Sequence, residues 1–286
     1  MSCKTYAIVN TKGGVGKTTF SANLGGMIAD MSKRVLLIDA DFQPSLSSHY
    51  KITEKSKYGL KEFITLGLLE ECISKTSIEN LDIIVSNDPD ADLINWLRQG
   101  STNFLYLANA ISKLSESGKY DYIIIDSEGV SKSELQESVI VAADVLIAPI
   151  IPDYKPAREF SRGFIRTLNR VKPPELWKNL YEVPPTLVFF NAKDRTNDNK
   201  AVIEELRNEF KDGTIHGSDF QISVMDTLIP EMSAYNKACG LRQPVHRVER
   251  KRRNGSPTPC ALETMLEFVY ELCPELSGIN PEIPSV

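Results

Sequence analysis

The chain has 286 residues, of which 42% are apolar and 25% charged, and this is the composition of an ordinary globular protein with room for one large α/β domain or two small ones. No apolar stretch reaches the roughly 18 residues of a membrane span, and the N-terminus is already a predicted strand by residue 5, so we expect neither a span nor a signal peptide, and a cytoplasmic location. The net charge of −5 argues by itself against a nucleic-acid partner, although the distribution of charge matters more than the sum.

Strand-like apolar runs alternate with helical stretches along most of the chain. Strands are predicted at residues 5–9, 35–39, 81–86, 122–126, 145–150 and 186–191. Helices are predicted at 17–31, 93–115, 132–142, 157–170, 201–210 and 261–273, with small helices in 47–80. Because continuous Ile, Val and Leu indicate strands buried on both faces, we expect an α/β fold, a mostly parallel central sheet with helices on both faces. A single domain is expected over residues 1–273, and a loose C-terminal tail over 274–286.

Residues 10–19 read Asn-Thr-Lys-Gly-Gly-Val-Gly-Lys-Thr-Thr and lie between a predicted strand and a predicted helix. The glycines let backbone amides converge on an anion, and the first turn of the helix adds unpaired N–H groups and the positive end of its dipole. Lys17 is expected to reach the outer phosphates of a nucleotide, and the Thr18 hydroxyl to hold magnesium. The ATP-binding residues predicted in this phosphate loop are Lys12, Gly13, Gly14, Val15, Gly16, Lys17, Thr18 and Thr19.

The loop departs from the standard phosphate-loop pattern, because Thr11 stands where that pattern has a glycine and Lys12 follows it. It matches the variant Lys-Gly-Gly-x-Gly-Lys-Thr, the deviant Walker A motif, and here the chain resembles the ParA/MinD family of P-loop ATPases over most of residues 4–245. The resemblance implies that Lys12 crosses a dimer interface and contacts the nucleotide of the other subunit. A cation delivered in this way can contribute roughly 10³ to 10⁵ in rate.

Two predicted strands end in aspartates that would share one sheet edge with the phosphate loop. The second strand runs into Asp39 and Asp41, and the fourth ends at Asp126. Ligands of open α/β sheets bind outside the carboxyl ends of the strands, so Asp39 and Asp126, with Thr18, are the predicted Mg²⁺ residues. Asp41 is the candidate for orienting the attacking water, a role that the resemblance also implies. The predicted catalytic residues are Lys12, Lys17 and Asp41.

Later loops are expected to recognise the base. Asn191, at the end of a predicted strand, can pair with an adenine edge, while Pro230 and Glu231 can offer an apolar face and backbone contacts. The resemblance implies an asparagine and a proline at these places. All three residues are therefore included in the predicted ATP site.

The segment after Asp126 departs from the resemblance. Many relatives continue Asp-x-Pro-Pro, whereas this chain has Ser127, Glu128 and Gly129. Gly129 keeps the flexibility that a phosphate-sensing switch needs. Glu128 would add a negative charge beside a polyphosphate, so we expect it to point away, towards a partner subunit or solvent.

Basic residues are concentrated in two places. The resemblance implies that ATP-bound dimers bind DNA non-specifically through C-terminal basic residues, and a solvated loop is the alternative. The predicted DNA contacts are Arg242, Arg247, Arg250, Lys251, Arg252 and Arg253. A second set repeats every fourth residue along one helical stripe, and could extend that surface, pair with acids of a partner, or face solvent. Its members are Arg158, Arg162, Arg166 and Arg170.

The resemblance implies an ATPase that partitions plasmid or chromosomal DNA, with ATP and Mg²⁺ as cofactors. It would dimerise on binding ATP, bind DNA and associate with the nucleoid in that state, and be released when a ParB-type centromere-binding partner stimulates hydrolysis. The N-terminal helix-turn-helix of larger relatives is expected to be absent, which makes operator-specific repression an unlikely role.

Three alternatives share the same loop. A MinD-like positioning regulator binds anionic lipid through a basic C-terminal helix, but residues 261–273 contain Glu263, Glu267 and Glu271 and no lysine or arginine. An iron–sulfur reductase needs cluster-ligating cysteines, and the five cysteines here are scattered without a C-x-x-C pair, which indicates reduced thiols. A slow nucleotide-dependent scaffold remains open.

Overall fold

The computed structural model describes residues 3–129, 133–152, 154–192, 197–210, 219–252 and 258–284. Within these ranges the strands are β1 (Lys4–Ile8), β2 (Val35–Ala40), β3 (Ile52–Glu54), β4 (Ile73–Thr76), β5 (Leu81–Ile84), β6 (Tyr122–Ser127), β7 (Val145–Ile150), β8 (Thr186–Ala192) and β9 (Ile222–Pro230). The helices are α1 (Lys17–Asp30), α2 (Leu60–Thr65), α3 (Asp92–Gln99), α4 (Tyr106–Glu116), α5 (Glu134–Val141), α6 (Tyr154–Val171), α7 (Asn197–Glu209), α8 (Ser233–Leu241), α9 (Val245–Val248) and α10 (Ala261–Leu272).

The described strands form one sheet in the order β3-β4-β5-β2-β6-β1-β7-β8-β9. Every pairing from β5 to β9 is parallel, and the β3 and β4 strands are added antiparallel at one edge. This confirms the expected α/β fold with a mostly parallel central sheet. Because β1 lies between β6 and β7, the loop after β1 opens at the centre of the sheet edge formed by the strand carboxyl ends.

Helices cover both faces of the sheet, as expected. One apolar core lies between the sheet and α2 to α7, and includes Leu107, Val139 and Phe164. The other lies between the sheet and α1, α8, α9 and α10, and includes Leu24 and Phe268. The α1 helix is therefore buried between the sheet and α10, which fixes the helix that follows the phosphate loop.

Two predicted elements differ in the structure. The helix predicted at 93–115 is divided into α3 and α4, with a 3₁₀ turn at Asn103–Leu105 between them. Gly100 ends α3 in an extended conformation, and the Asn103 side chain caps it by donating to the Trp96 carbonyl at 2.8 Å. In residues 47–80 we predicted small helices, but this segment also forms β3 and β4. The β3 strand has three residues and no buried one, and the alternation in the four residues of β4 is too short to distinguish from a turn of helix by sequence alone.

The prediction of a loose tail is wrong for residues 274–284. Leu276 is 1% exposed and belongs to the core around α1 and α10. The Tyr122 hydroxyl donates to the Glu275 carboxylate at 2.8 Å, and the Tyr270 hydroxyl donates to the Ile279 carbonyl at 3.0 Å. Pro274 begins a 3₁₀ turn, and Gly278 turns the chain with φ 85°. Across the ranges described above, no helix is long and apolar enough to cross a membrane.

Candidate nucleotide site

The phosphate loop connects β1 to α1 and needs glycine where it enters the helix. Gly16 caps α1 with φ 89°, and Gly14 has φ 74°. Both lie in the left-handed region, where a side chain would be strained. The Asn10 side chain fixes the start of the loop, because its Oδ1 accepts from the Lys12 amide at 2.9 Å and its Nδ2 donates to the Pro149 carbonyl at 2.6 Å.

Lys17 is buried in the site, with 7% of its surface exposed. Burial lowers the pKa of the Lys17 ammonium, and the negative charges of Asp126, Asp41 and Glu128 oppose that shift. The ammonium therefore lies among carboxylates at the mouth of the loop. A buried cation in this position can hold an anionic ligand without competition from bulk water.

Asp39 and Asp126 are direct neighbours on parallel strands, since they are register partners in the β2–β6 pairing. Both are completely buried. Asp39 Oδ2 accepts from the Ser47 amide at 3.2 Å, and Asp126 Oδ1 accepts from the Ser21 hydroxyl at 2.9 Å. The other oxygen of each, Asp39 Oδ1 and Asp126 Oδ2, has no hydrogen-bond partner among the residues described.

Holding both of these buried carboxylates in the ionised form costs free energy when no cation is bound between them. Burial, with the charge of Asp126 as the second cause, raises the pKa of Asp39 to about 8. Burial also raises the pKa of Asp126 to about 6, against hydrogen bonds from Thr18 and Ser21. Two adjacent buried acids with unsatisfied oxygens suit a hard divalent cation, which prefers oxygen ligands. The Thr18 hydroxyl, 3.2 Å from the Ser45 hydroxyl, adds an oxygen at the same edge.

Asp41 and Lys12 lie nearer to solvent. Asp41 is half-buried, and its Oδ1 accepts from the Gln43 amide at 3.0 Å, which holds the carboxylate in a turn after β2. Its charge acts on Lys17 and on Glu128, so it faces the same space. Lys12 is exposed at the outer side of the loop. Its side chain is thus open to contact from outside the chain, whereas that of Lys17 is buried.

Glu128 does not point away from the site, and that prediction is wrong. Its side chain is 4% exposed, and Oε1 lacks a hydrogen-bond partner within the described ranges. The Glu128 amide donates to the Ala40 carbonyl at 3.2 Å, which continues the pairing with β2 beyond Ser127. Since side chains alternate along extended backbone, Glu128 faces the same side as Asp126. Burial, followed by the charge of Asp41, raises the pKa of Glu128 to about 7.

Gly129 packs against the phosphate loop. A Cβ at this position would lie 3.0 Å from the Gly13 Cα and 3.1 Å from the Lys17 Nζ. Such contacts are too close for a side chain without movement of the loop backbone. The segment after β6 therefore lies directly over the loop, and a side chain at position 129 would need its neighbours to shift by a few tenths of an ångström.

The three predicted base residues, Asn191, Pro230 and Glu231, lie together beside the loop. They line a pocket of about 540 Å³ that also reaches Gly14 and Gly16. Asn191 Nδ2 donates to the Val15 carbonyl at 3.0 Å, so its amide is fixed to the loop backbone in this structure. The sequence did not identify the apolar and aromatic residues that complete the pocket, because they are scattered over α1, β8, β9 and α8. These are Phe20, Phe189, Ile229 and Tyr235.

The sequence also missed the hydroxyl and amide groups that orient the acids. Ser21 lies one turn along α1 from Lys17 and reaches Asp126, and Ser45 and Ser47 in the loop after β2 reach Thr18 and Asp39. The one sequence signal for these serines is that they lie within a few residues of the phosphate loop and of the aspartates after β2. Their contacts depend on how the loop after β2 folds across the end of α1.

The structure separates the predicted DNA residues into two groups. Three have contacts within the chain: Arg247 with Asp30, Arg250 with the Arg247 and Pro284 carbonyls, and Arg252 with Glu263. Arg242 and Lys251 are exposed, and Arg253 lies outside the described residues.

The arginine stripe does not continue this C-terminal surface within one chain. The stripe lies on α6, which packs on one face of the sheet, whereas α8 and α9 pack on the other. Arg162 and Arg166 are exposed, and Arg170 pairs with Glu137 at 2.7 Å. Arg158 lies on α6, and its side chain is outside the described part.

Several known proteins are similar to this chain in sequence, and others are similar to it in fold. A family model described as an AAA domain matches residues 3–181. The sporulation initiation inhibitor protein Soj of Bacillus subtilis is 30% identical over 247 residues, covering 85% of this chain and 90% of Soj. The chromosome partitioning protein ParA of Caulobacter vibrioides is 29% identical over 252 residues, covering 85% of this chain and 86% of that protein.

Among solved structures, an ATP complex of a Cyanothece McdA variant is 22% identical with a TM-score of 0.70, covering 100% of this chain and 98% of that one. This likeness shows a shared fold. The family match spans more than half of the chain, and the similarity to Soj extends over most of both proteins. This chain therefore belongs to the ParA/MinD superfamily of P-loop ATPases, as a ParA-type member.

Proposed function

We propose that this protein is a DNA-partitioning ATPase that binds ATP with Mg²⁺ at the phosphate loop, dimerises around two nucleotides and binds DNA in that state. The observation that carries the proposal is the pairing of Asp39 with Asp126, because each has a buried oxygen without a partner among the described residues and the charge of Asp126 acts on the buried Lys17. Two such oxygens and one buried cation fit a metal–polyphosphate better than a neutral ligand.

Each residue of the site has a distinct role in this proposal. Thr18, Asp39 and Asp126 would hold Mg²⁺, directly or through its waters, and this ion neutralises charge that develops on the phosphates during hydrolysis. Lys17 holds the outer phosphates. Asp41 orients the attacking water, since its half-buried carboxylate faces the space above Lys17.

Lys12 acts in the partner's site. It is exposed and lies outside the cluster around Lys17. A lysine delivered across the interface would stabilise transition-state charge only in the dimer. Nucleotide binding and dimerisation would in this way be coupled.

The adenine would occupy the pocket formed by Asn191, Pro230 and Glu231. Phe20 and Tyr235 contribute apolar and aromatic surface to its walls. The Asn191 Nδ2 carries two N–H donors, so one can stay on the Val15 carbonyl while the other, together with Oδ1, pairs with the base edge. One side chain would in this way join the base to the phosphate loop.

DNA binding is supported by relatives, one of which is named a chromosome partitioning protein, and by the exposed Arg242 and Lys251. These side chains are free to contact phosphates, unlike Arg247, which is fixed to Asp30. In the ATP state the protein would associate with the nucleoid. A ParB-type partner would then release it by stimulating hydrolysis.

The decisive experiment is retention of a DNA fragment by the purified protein with ADP, with ATP and with a slowly hydrolysed ATP analogue, followed by a salt titration. We expect retention only with the triphosphates, with log affinity falling by about 0.9 per contacted phosphate for each decade of salt. Lys17→Ala is the control, because it should abolish nucleotide binding and retention together. Retention that is independent of nucleotide, or absent in every state, would contradict the DNA-partitioning proposal.

A further inference from the structure

We propose that Glu128 sets the preference of this site between nucleoside triphosphates and diphosphates, by placing a buried carboxylate where a terminal phosphate must bind. This inference rests on the proposed ATP site.

The backbone around Glu128 fixes where its side chain lies. Its amide donates to the Ala40 carbonyl, which keeps the chain extended beyond β6. Gly129 then lies against Gly13 and the Lys17 Nζ. Glu128 is thus held between the end of β2 and the mouth of the phosphate loop, on the side of the sheet that Asp126 faces.

The Glu128 carboxylate is poorly satisfied there. It is 4% exposed, and within the described ranges its Oε1 has no hydrogen-bond partner. A buried charged group without full hydrogen bonding is costly, and natural sites retain such groups where they serve a function. The neighbouring charges that act on it are Asp41 and Glu134, both negative, and Lys17 as the opposing cation.

The balance of charge then decides the effect on ligands. The charges of Asp41, Asp126 and Glu128 act on the one buried cation Lys17, and an incoming polyphosphate adds further negative charge. In the proposed site Lys17 holds the outer phosphates, and the segment that follows β6 lies against the Lys17 Nζ, so a third phosphate would lie nearer to Glu128 than the first two. Glu128 therefore repels a bound triphosphate more strongly than a bound diphosphate, because electrostatic energy decreases with distance.

Glu128→Gln tests the proposal, since it removes the charge and keeps the shape. We expect the dissociation constant of a non-hydrolysable ATP analogue with Mg²⁺ to fall about tenfold, equivalent to roughly 1.4 kcal/mol, and that of ADP to fall by much less. The matched control is Glu134→Gln, which removes a nearby negative charge that is paired with Arg98. In that variant the ratio of the two constants should stay at the wild-type value.

Two further measurements distinguish specificity from structure and from dimer formation. Thermal unfolding without nucleotide should show that Glu128→Gln folds, with stability unchanged or increased because an unsatisfied charge is removed. Repeating the titrations in a Lys12→Ala background removes the contact across the dimer, and the change in ratio should persist.

An unchanged ratio in Glu128→Gln, or weaker binding of the analogue, would overturn the inference while leaving the ATP site intact. If the wild-type protein bound neither ADP nor the analogue, the proposed function itself would fail. These outcomes are distinct, because the first concerns the ratio of two measured constants and the second concerns binding by the unaltered protein.

Discussion

Arg247 donates to the Asp30 carboxylate from Nε at 2.6 Å and from Nη2, and so joins the segment after α8 to the last residue of the phosphate-loop helix. His246 Nε2 lies 2.8 Å from the same Asp30 Oδ2. The Asp30 side chain is 3% exposed and that of Arg247 is 12% exposed, so this is a buried ion pair. Arg247 is therefore a structural residue, although its position in a basic run suggested contact with DNA.

The first prediction concerns this ion pair. Asp30→Asn or Arg247→Ala should lower the free energy of unfolding by about 3 to 5 kcal/mol, because each leaves an uncompensated buried charge. Arg242→Ala is the matched control and should change it by less than about 0.5 kcal/mol, since Arg242 is exposed. Urea unfolding followed by circular dichroism measures all three. Equal stability of Arg247→Ala and Arg242→Ala would show that the buried pair does not stabilise the fold.

The second prediction concerns pH and Mg²⁺. The pKa of Asp39 is raised to about 8 in the folded protein, against an ordinary value of about 3.9 when unfolded. Between these values the folded state holds the proton and the unfolded state has lost it. The contribution of Asp39 to stability is thus complete below about pH 4 and is lost as pH rises towards 8, by at most about 1.4 kcal/mol per pH unit.

The predicted loss of stability is checked by measuring the free energy of unfolding at a series of pH values, without and with Mg²⁺. Mg²⁺ should remove or reverse the loss of stability at high pH, because it binds the ionised carboxylates of the folded state. Without Mg²⁺, the free energy of unfolding should fall less with rising pH in Asp39→Asn than in wild type. Other titrating groups, such as His246 with its pKa lowered by burial, are present in both proteins, so their contributions cancel in this comparison. A variant with the same pH profile as wild type would exclude Asp39 as the source.

The third prediction separates binding from hydrolysis. Asp41→Ala should bind ATP with nearly wild-type affinity but lose turnover, because in the proposed site its half-buried carboxylate would orient the attacking water and would not hold the phosphates. ATP-bound dimers should then accumulate, and size-exclusion chromatography with light scattering would detect them. Turnover equal to that of wild type would show that another group orients the water.

The fourth prediction concerns the DNA surface. Replacing Arg242 and Lys251 together with alanine should weaken ATP-dependent DNA retention and reduce its salt slope by about two, one for each lost phosphate contact. ATPase activity without DNA should be unchanged, since both residues are exposed and distant in sequence from the loop. Arg162→Ala with Arg166→Ala tests the opposite face of the sheet. Loss of retention in this second variant alone would place the DNA surface on α6.

Local features of the sequence were sufficient to predict the sheet class and much of the candidate site. The buried strands have continuous apolar runs, and the order strand, glycine loop, helix places Lys17 and Thr18 without knowledge of the rest of the chain. Asp39 and Asp126 could be assigned to one edge because parallel strands end on the same side. The strands β3 and β4 could not be predicted, since short alternating segments are ambiguous and their pairing depends on β5.

The sequence by itself determined the phosphate loop, the aspartates at the strand ends and the parallel sheet, because local spacing and periodicity encode these features. The tertiary structure decided what spacing cannot express, namely which charges are buried and what they contact. Glu128 faces the site because its backbone continues the pairing with β2, and Arg247 is withdrawn from solvent because Asp30, far away in sequence, ends the helix beneath it. The same charged residue can bind a ligand or stabilise the fold, and only its long-range contacts distinguish the two.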